Sequence, residues 1–114
     1  MAIEHYEFGI IEIDGRVFTS DVVIGPEGVQ DSLWRLQSHT LSKESVEPLL
    51  QMQPAVLVLG TGADGAVTVP PDTVDFMSRL CPEVHVEKTG RACRLYNELA
   101  RGERRVVAAL HLED

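Results

Sequence analysis

Three glycines at positions 60, 62 and 65 form the pattern Gly-x-Gly-x-x-Gly directly after an apolar run. In dinucleotide-binding proteins, such glycines let backbone amides approach a pyrophosphate, and a helix begins at once. Here the next predicted helix does not begin at once but opens later, at two consecutive prolines, and proline has no amide hydrogen to donate. The pattern therefore favours a glycine-rich turn with positive φ angles. A backbone site for a smaller ligand at Gly60, Thr61 and Gly62 stays open as the alternative.

A second feature is a basic stretch between residues 88 and 105, which holds six lysines and arginines against two glutamates. Thr89 is a predicted helix cap, so Arg91 and Arg94 fall in the first two turns of a helix. Cations there oppose the helix dipole by about 0.3–1 kcal/mol each. A bound anion, held by the helix N-terminus and Arg94 together, would offset this cost. Solvation is an alternative, as are carboxylates of the protein itself: Asp21, Asp64 and Glu87.

The other reactive residues do not form a pattern that supports catalysis or metal binding. None of the four histidines has the spacing of a zinc site, and no Gly-x-Ser-x-Gly elbow occurs. We therefore assign no catalytic residue, no metal and no cofactor. Cys81 and Cys93 are interpreted as inert thiols, although a thiolate of Cys93 would be stabilised near the start of a helix. Asn97 is expected either to hydrogen-bond to the loop 60–65 or to be exposed.

Composition limits the class of protein. The chain has 114 residues, a mass near 12.6 kDa and a net charge of −8, which indicates one globular domain, 1–114. An acidic chain repels phosphate backbones, so we expect no nucleic-acid partner. No run approaches the roughly 18 apolar residues of a membrane span, and the first residues do not resemble a signal peptide. These features predict a cytoplasmic protein that has no membrane partner.

The first half of the chain is predicted to begin with an antiparallel hairpin. Its strands cover residues 3–13 and 16–24, joined by Asp14-Gly15, a typical two-residue hairpin turn. A short helix with Trp34 follows, and a second is capped by Ser42 or Ser45. Trp34 is interpreted as a core residue or, with Asp21, as the wall of a pocket. His39 is expected to end the Trp34 helix, while His85 and His111 are expected to point outward from strands.

The second half is predicted to alternate strand, helix, strand, helix and strand. The strands are 55–59, 84–87 and 105–112, and the helices begin at Pro71 and Thr89. Crossovers of this length give parallel, right-handed connections, and the whole chain becomes a mixed sheet covered by helices. The loop 60–65 and the turn 88–91 should then be neighbours at the carboxyl edge of the sheet, where open α/β sheets bind ligands.

Several segments together resemble domain-of-unknown-function family 498. They are Ser20 to Ile24, the Gly-Thr-Gly loop at 60–62, and the stretch Thr-x-x-Ala-x-x-x-Tyr-Asn-x-Leu from Thr89 to Leu99. The family includes an adipogenesis-associated protein and a mitochondrial complex I assembly factor. The resemblance implies a single three-layer α/β domain with a mixed sheet and helices on both faces. It implies protein binding in some members and no established reaction, and with no mitochondrial presequence this chain resembles the bacterial form.

These observations lead to two functional hypotheses. The first is a non-catalytic protein-interaction or assembly-factor-like protein with an unidentified protein partner. The second is a small-ligand or anion-binding domain, including the case of an enzyme, with a crevice at the carboxyl edge of the sheet. The candidate site residues are Gly60, Thr61, Gly62, Thr89, Arg91, Arg94 and Asn97, with Asp21 and Trp34 as pocket wall. An exposed hairpin edge also predicts a homodimer as a further alternative.

Overall fold

A computed structural model describes residues 1–31 and 39–114 of the chain. Within them it has eight strands and three helices. The strands are β1 (Ile3–Glu7), β2 (Ile10–Ile13), β3 (Arg16–Phe18), β4 (Val22–Gly25), β5 (Gly28–Gln30), β6 (Val56–Thr61), β7 (Glu83–Glu87) and β8 (Val106–His111). The helices are α1 (Lys43–Leu50), α2 (Pro71–Leu80) and α3 (Thr89–Ala100). Trp34 and its predicted helix lie outside the described residues.

The first three strands form a small antiparallel sheet in the order β1-β2-β3. The predicted turn is confirmed, since Asp14 and Gly15 both have positive φ angles, 49° and 79°. The predicted hairpin is wrong in strand number, because each long strand is divided into two. Gly9, with a φ of 78°, reverses the chain between β1 and β2, and its amide donates to the carbonyl of Leu112. The second predicted strand is interrupted between Phe18 and Val22.

The remaining strands form a mixed sheet in the order β5-β4-β8-β6-β7. Strands β7 and β8 run parallel to β6 on its two sides, as the alternating pattern of the second half predicts. Helix α2 connects β6 to β7 on one side of it, and α3 leads from β7 back across β6 to β8 on the other side. Because both crossovers are right-handed but run in opposite directions across the sheet, α2 and α3 cover opposite faces. The predicted α/β fold, with a mixed sheet and helices on both faces, is confirmed.

Strand β6 is the centre of the protein, and all six of its residues are buried. Val56 and Val58 pack on the side of α3 and the small sheet, whereas Leu57 and Leu59 pack on the side of α1 and α2. This arrangement explains the continuous apolar run, since a parallel strand between two helical layers has no polar face. No helix in the described part of the chain is long and apolar enough to span a membrane.

Candidate functional site

The loop after β6 and the start of α3 meet at the carboxyl edge of the sheet, as predicted. The amide of Thr89 donates to the carbonyl of Gly62 over 3.0 Å, and the amide of Gly62 donates to Thr89 Oγ1 over 2.9 Å. The hydroxyl of Thr89 donates in turn to the carbonyl of His111 over 2.6 Å. Thr89 is fully buried and does not cap its own helix, so the capping prediction is wrong. Its side chain instead joins the ends of β6 and β8.

Glycine is required where the loop approaches α3. A Cβ atom on Gly60 would lie 2.8 Å from Thr89 Oγ1 and 3.0 Å from a methyl group of Leu110. Gly62 and Gly65 have φ angles of 108° and 77°, which side chains rarely tolerate. The loop is thus the positive-φ glycine turn favoured by the sequence, and α2 begins only at Pro71.

The amides of this loop already hold a carboxylate that belongs to the chain. Asp114 Oδ1 accepts from the amides of Asp64 and Ala66 over 2.9 and 3.2 Å. The amide of Ala63 donates to the carbonyl of Glu113. The hydrogen bond from the Asp64 amide lowers the pKa of Asp114, while the hydrogen bond between the two carboxyl groups raises the pKa of Asp64. A pyrophosphate would have to displace Asp114, which argues against a dinucleotide site here.

A separate crevice of about 670 Å³ opens to solvent between the carboxyl ends of β6 and β7 and the first turns of α3. Its lining includes Thr61, Gly65, Lys88, Gly90, Arg91 and Arg94. The chain leaves β6 toward the face covered by α2 and leaves β7 toward the face covered by α3. Adjacent parallel strands with connections to opposite faces create the crevice in which open α/β sheets bind ligands.

The cations of this crevice differ in whether the protein neutralises them. Arg91 forms an ion pair with Glu87, with 3.0 Å between Nε and Oε1. Among the described residues, Lys88 and Arg94 form neither an ion pair nor a side-chain hydrogen bond. The charge of Lys88 favours the ionised form of Asp64, and that of Arg94 favours the thiolate of Cys93. The alternative in which a carboxylate of the protein itself neutralises the basic residues therefore applies to Arg91. The side chain of Arg94 is exposed beside the start of α3.

Asp21 lies outside the crevice and holds the segment that follows β8. Its carboxylate contacts His111 Nδ1 at 2.6 Å and accepts from the amide of Leu112 at 2.9 Å. The rings of His39 and His111 meet edge to face, and His39 Nε2 lies 2.8 Å from the carbonyl of Asp114. The prediction that His111 points outward is wrong, because its ring is mostly covered and its Nε2 is buried without a partner among the described residues.

Asn97 departs from both of its predicted roles, whereas Cys93 is the inert thiol that the sequence favoured. The side chain of Asn97 accepts from the amide of Ile3 and donates to its carbonyl, both at 2.8 Å. It therefore ties α3 to β1, and the predicted bond to the loop 60–65 is wrong. Cys93 is only 5% exposed, and burial raises the pKa of its thiol to about 12, so its position near the start of α3 does not stabilise a thiolate. Burial outweighs the favourable charge of Arg94.

Two contributors to this edge were missing from the predicted site. Lys88 directly follows β7, at the same edge of the sheet as the loop after β6. Its position could therefore have been predicted from the direction of the parallel strands. Asp114 gives no such signal, because a carboxylate at the end of the chain has no periodicity or spacing to relate it to residues 64 and 66. The described residues contain no cluster of three or more side chains suited to a metal ion.

Comparison with known proteins matches the chain to one family and to several solved structures of the same fold. Residues 3–111 match the family described as "Protein of unknown function (DUF498/DUF598)". A conserved hypothetical protein from Pyrococcus horikoshii is 31% identical, with full coverage of both chains and a TM-score of 0.86. A Bordetella parapertussis protein is 28% identical, covers 98% of this chain and 95% of its own, and has a TM-score of 0.76. A Bordetella pertussis protein described as a Mth938-like domain shares the fold at 24% identity, with 98% and 85% coverage and a TM-score of 0.69.

Proposed function

We propose a binding function for this chain, which belongs to the DUF498/DUF598 family of proteins of unknown function. It acts as a non-catalytic protein-interaction domain, similar in role to an assembly factor. Its recognition site is the basic crevice between the ends of β6 and β7. The ligand chemistry is an anionic group, and the preferred source is an acidic segment of a partner protein.

The observation that carries this proposal is that Lys88 and Arg94 form no ion pair with the residues that the structure describes. The chain as a whole has a net charge of −8, so positive groups that its own carboxylates leave unpaired stand out. Glu87 forms an ion pair with Arg91, which lies between Lys88 and Arg94 in the sequence. Gly90 and Arg91, whose amides lie in the first turn of α3 and have no intrahelical acceptor, line the crevice together with Lys88 and Arg94. Hydrogen-bond donors and positive charge thus occur in one crevice.

The shape of the crevice favours a protein segment over a small molecule. A volume of about 670 Å³ is within the range of small-ligand pockets, which is what supports the alternative of a free anion. Such pockets enclose most of their ligand within apolar walls, whereas this crevice is open and lined by charged groups. An open crevice with charged side chains suits an extended segment whose remaining residues contact the protein outside the crevice.

A calorimetric titration with three probes tests the proposal. The probes are a short peptide rich in aspartate, inorganic phosphate and acetate, each added to the full chain at low salt. We expect the peptide to bind and the variant Arg94→Gln to bind it about five- to tenfold more weakly, because one charge-assisted contact is lost at an exposed site. Lys88→Gln is expected to weaken binding similarly.

The matched control is Arg101→Gln, which removes the same charge from the other end of α3, where Arg101 is exposed. It should leave peptide affinity nearly unchanged. Phosphate that binds as tightly as the peptide, with the same dependence on Arg94, would instead support the small-anion alternative. An equal loss in Arg94→Gln and Arg101→Gln, or peptide that does not bind the wild-type chain, would contradict a site at the crevice.

A further inference from the structure

Strand β7 forms one edge of the five-stranded sheet, and its carboxyl end lies at the basic crevice. It has five residues, Glu83–Glu87, and among the described strands it pairs with β6 alone. Lys88 follows it immediately and lines the crevice. An edge of this kind presents unpaired backbone groups to any chain that lies alongside it.

The backbone groups that point outward from β7 are identified by a hydrogen bond on its inner side. Thr61 Oγ1 of β6 donates to the carbonyl of Glu87. This carbonyl therefore points toward β6. Because successive residues of a strand direct their backbone groups to alternate sides, those of Val84 and Val86 point away from the sheet. In residues 1–31 and 39–114, nothing outside the sheet hydrogen-bonds to them.

The other sheet edges are less suited to a partner. Strands β3 and β5 have three residues each. Strand β1 is as long as β7, but Asn97 occupies both backbone groups of Ile3. Among the described elements, β7 is the five-residue edge strand whose outward backbone groups form no hydrogen bond with a side chain.

Charge along β7 favours an acidic occupant at one end. Glu83 is paired with His85 and Arg104, at 2.6 and 2.8 Å, and Glu87 is paired with Arg91. Both carboxylates of the strand are thus paired, whereas Lys88 and Arg94, near its carboxyl end, form no ion pair in the described ranges 1–31 and 39–114. A groove of about 440 Å³ between β7 and α3 continues from the crevice and shares Glu87, Arg91 and Arg94 with it. Side chains of an added strand would fit into this groove.

We infer that the partner's acidic segment binds as an additional strand on β7, with its acidic end in the crevice beside Lys88 and Arg94. This inference rests on the proposed function and specifies its ligand: an extended polypeptide whose backbone pairs with Val84 and Val86. Main-chain hydrogen bonds would provide affinity, and the crevice would select the acidic end.

Peptides with methylated backbone amides test the inference. The parent probe is a short peptide of alternating threonine and valine that ends in two aspartates. Two derivatives carry N-methyl groups on alternate residues, one along each edge of the extended chain. We expect one derivative to lose about tenfold or more in affinity and the other to bind like the parent, since only one edge faces β7. In the complex with the parent, the amides of Val84 and Val86 should gain protection from hydrogen exchange, whereas that of Val29 in β5 should not.

The outcomes separate the two proposals. A parent peptide that binds through Arg94, with both derivatives unaffected or equally weakened, would overturn strand addition and leave the basic crevice as the binding site. New protection at Val29 with none at Val84 and Val86 would overturn it as well, by moving the partner to β5. A parent peptide that does not bind would overturn the proposed function and, with it, this inference.

Discussion

At the residue scale, the site is organised by side chains that serve the protein's own backbone. Thr89, Asp21 and Asp114 each hold amides or carbonyls of segments distant in sequence. Sequence reasoning assigned Thr89 to its own helix and Asp21 to a pocket, because both roles follow from local rules. Only the fold brings Gly62 and His111 to Thr89, so a buried hydroxyl with two non-local partners is not visible in the spacing of residues.

The cysteines give a prediction at this scale. Cys93 is nearly buried and its thiol has a pKa raised to about 12, and burial also raises the pKa of the Cys81 thiol. Since the thiolate is the reactive form, iodoacetamide should modify neither cysteine in the folded protein at neutral pH. Mass spectrometry should detect two modifications only after unfolding in guanidinium. Rapid modification of Cys93 in the native protein would contradict the burial described here.

At the scale of elements, the close approach of β6 to α3 sets the geometry of the carboxyl edge. Gly60→Ala would place a Cβ 2.8 Å from Thr89 Oγ1, so we expect a loss of about 1–3 kcal/mol in the free energy of unfolding. Gly90→Ala is the matched control, because a Cβ there meets nothing within 4 Å. Alanine in a helix should stabilise by about 0.5–1 kcal/mol. Urea denaturation checks both, and equal effects of the two substitutions would contradict the close contact at Gly60.

The elements also show what the sequence could predict. The apolar run of β6, the prolines at α2 and the stripe of α3 have strong periodicity or terminal signals, and the parallel half of the sheet followed from them. The division of the first hairpin into four strands was missed because Gly9 and the break between Phe18 and Val22 lie within apolar, β-branched sequence. The position of the crevice was predictable from strand direction, whereas its charge depended on which cations the protein pairs internally.

At the scale of the whole molecule, an acidic protein presents a small basic site at one edge of its sheet. Long-range repulsion from a net charge of −8 opposes the approach of acidic partners, so the crevice must act at short range. The recognition that we propose combines a local charge contact with pairing along β7. This combination would select an extended acidic segment without an enclosed pocket.

The measurement that tests this account most directly is amide chemical-shift mapping of the isotope-labelled protein during titration with the aspartate-rich peptide. We predict that the largest shifts occur at Gly65, Gly90 and Arg91, around the crevice. Gly28 and Val29, at the far edge of the sheet, should not shift. Shifts confined to the turn around Gly28, or no shifts at all with peptide in excess, would contradict a recognition site between β6, β7 and α3.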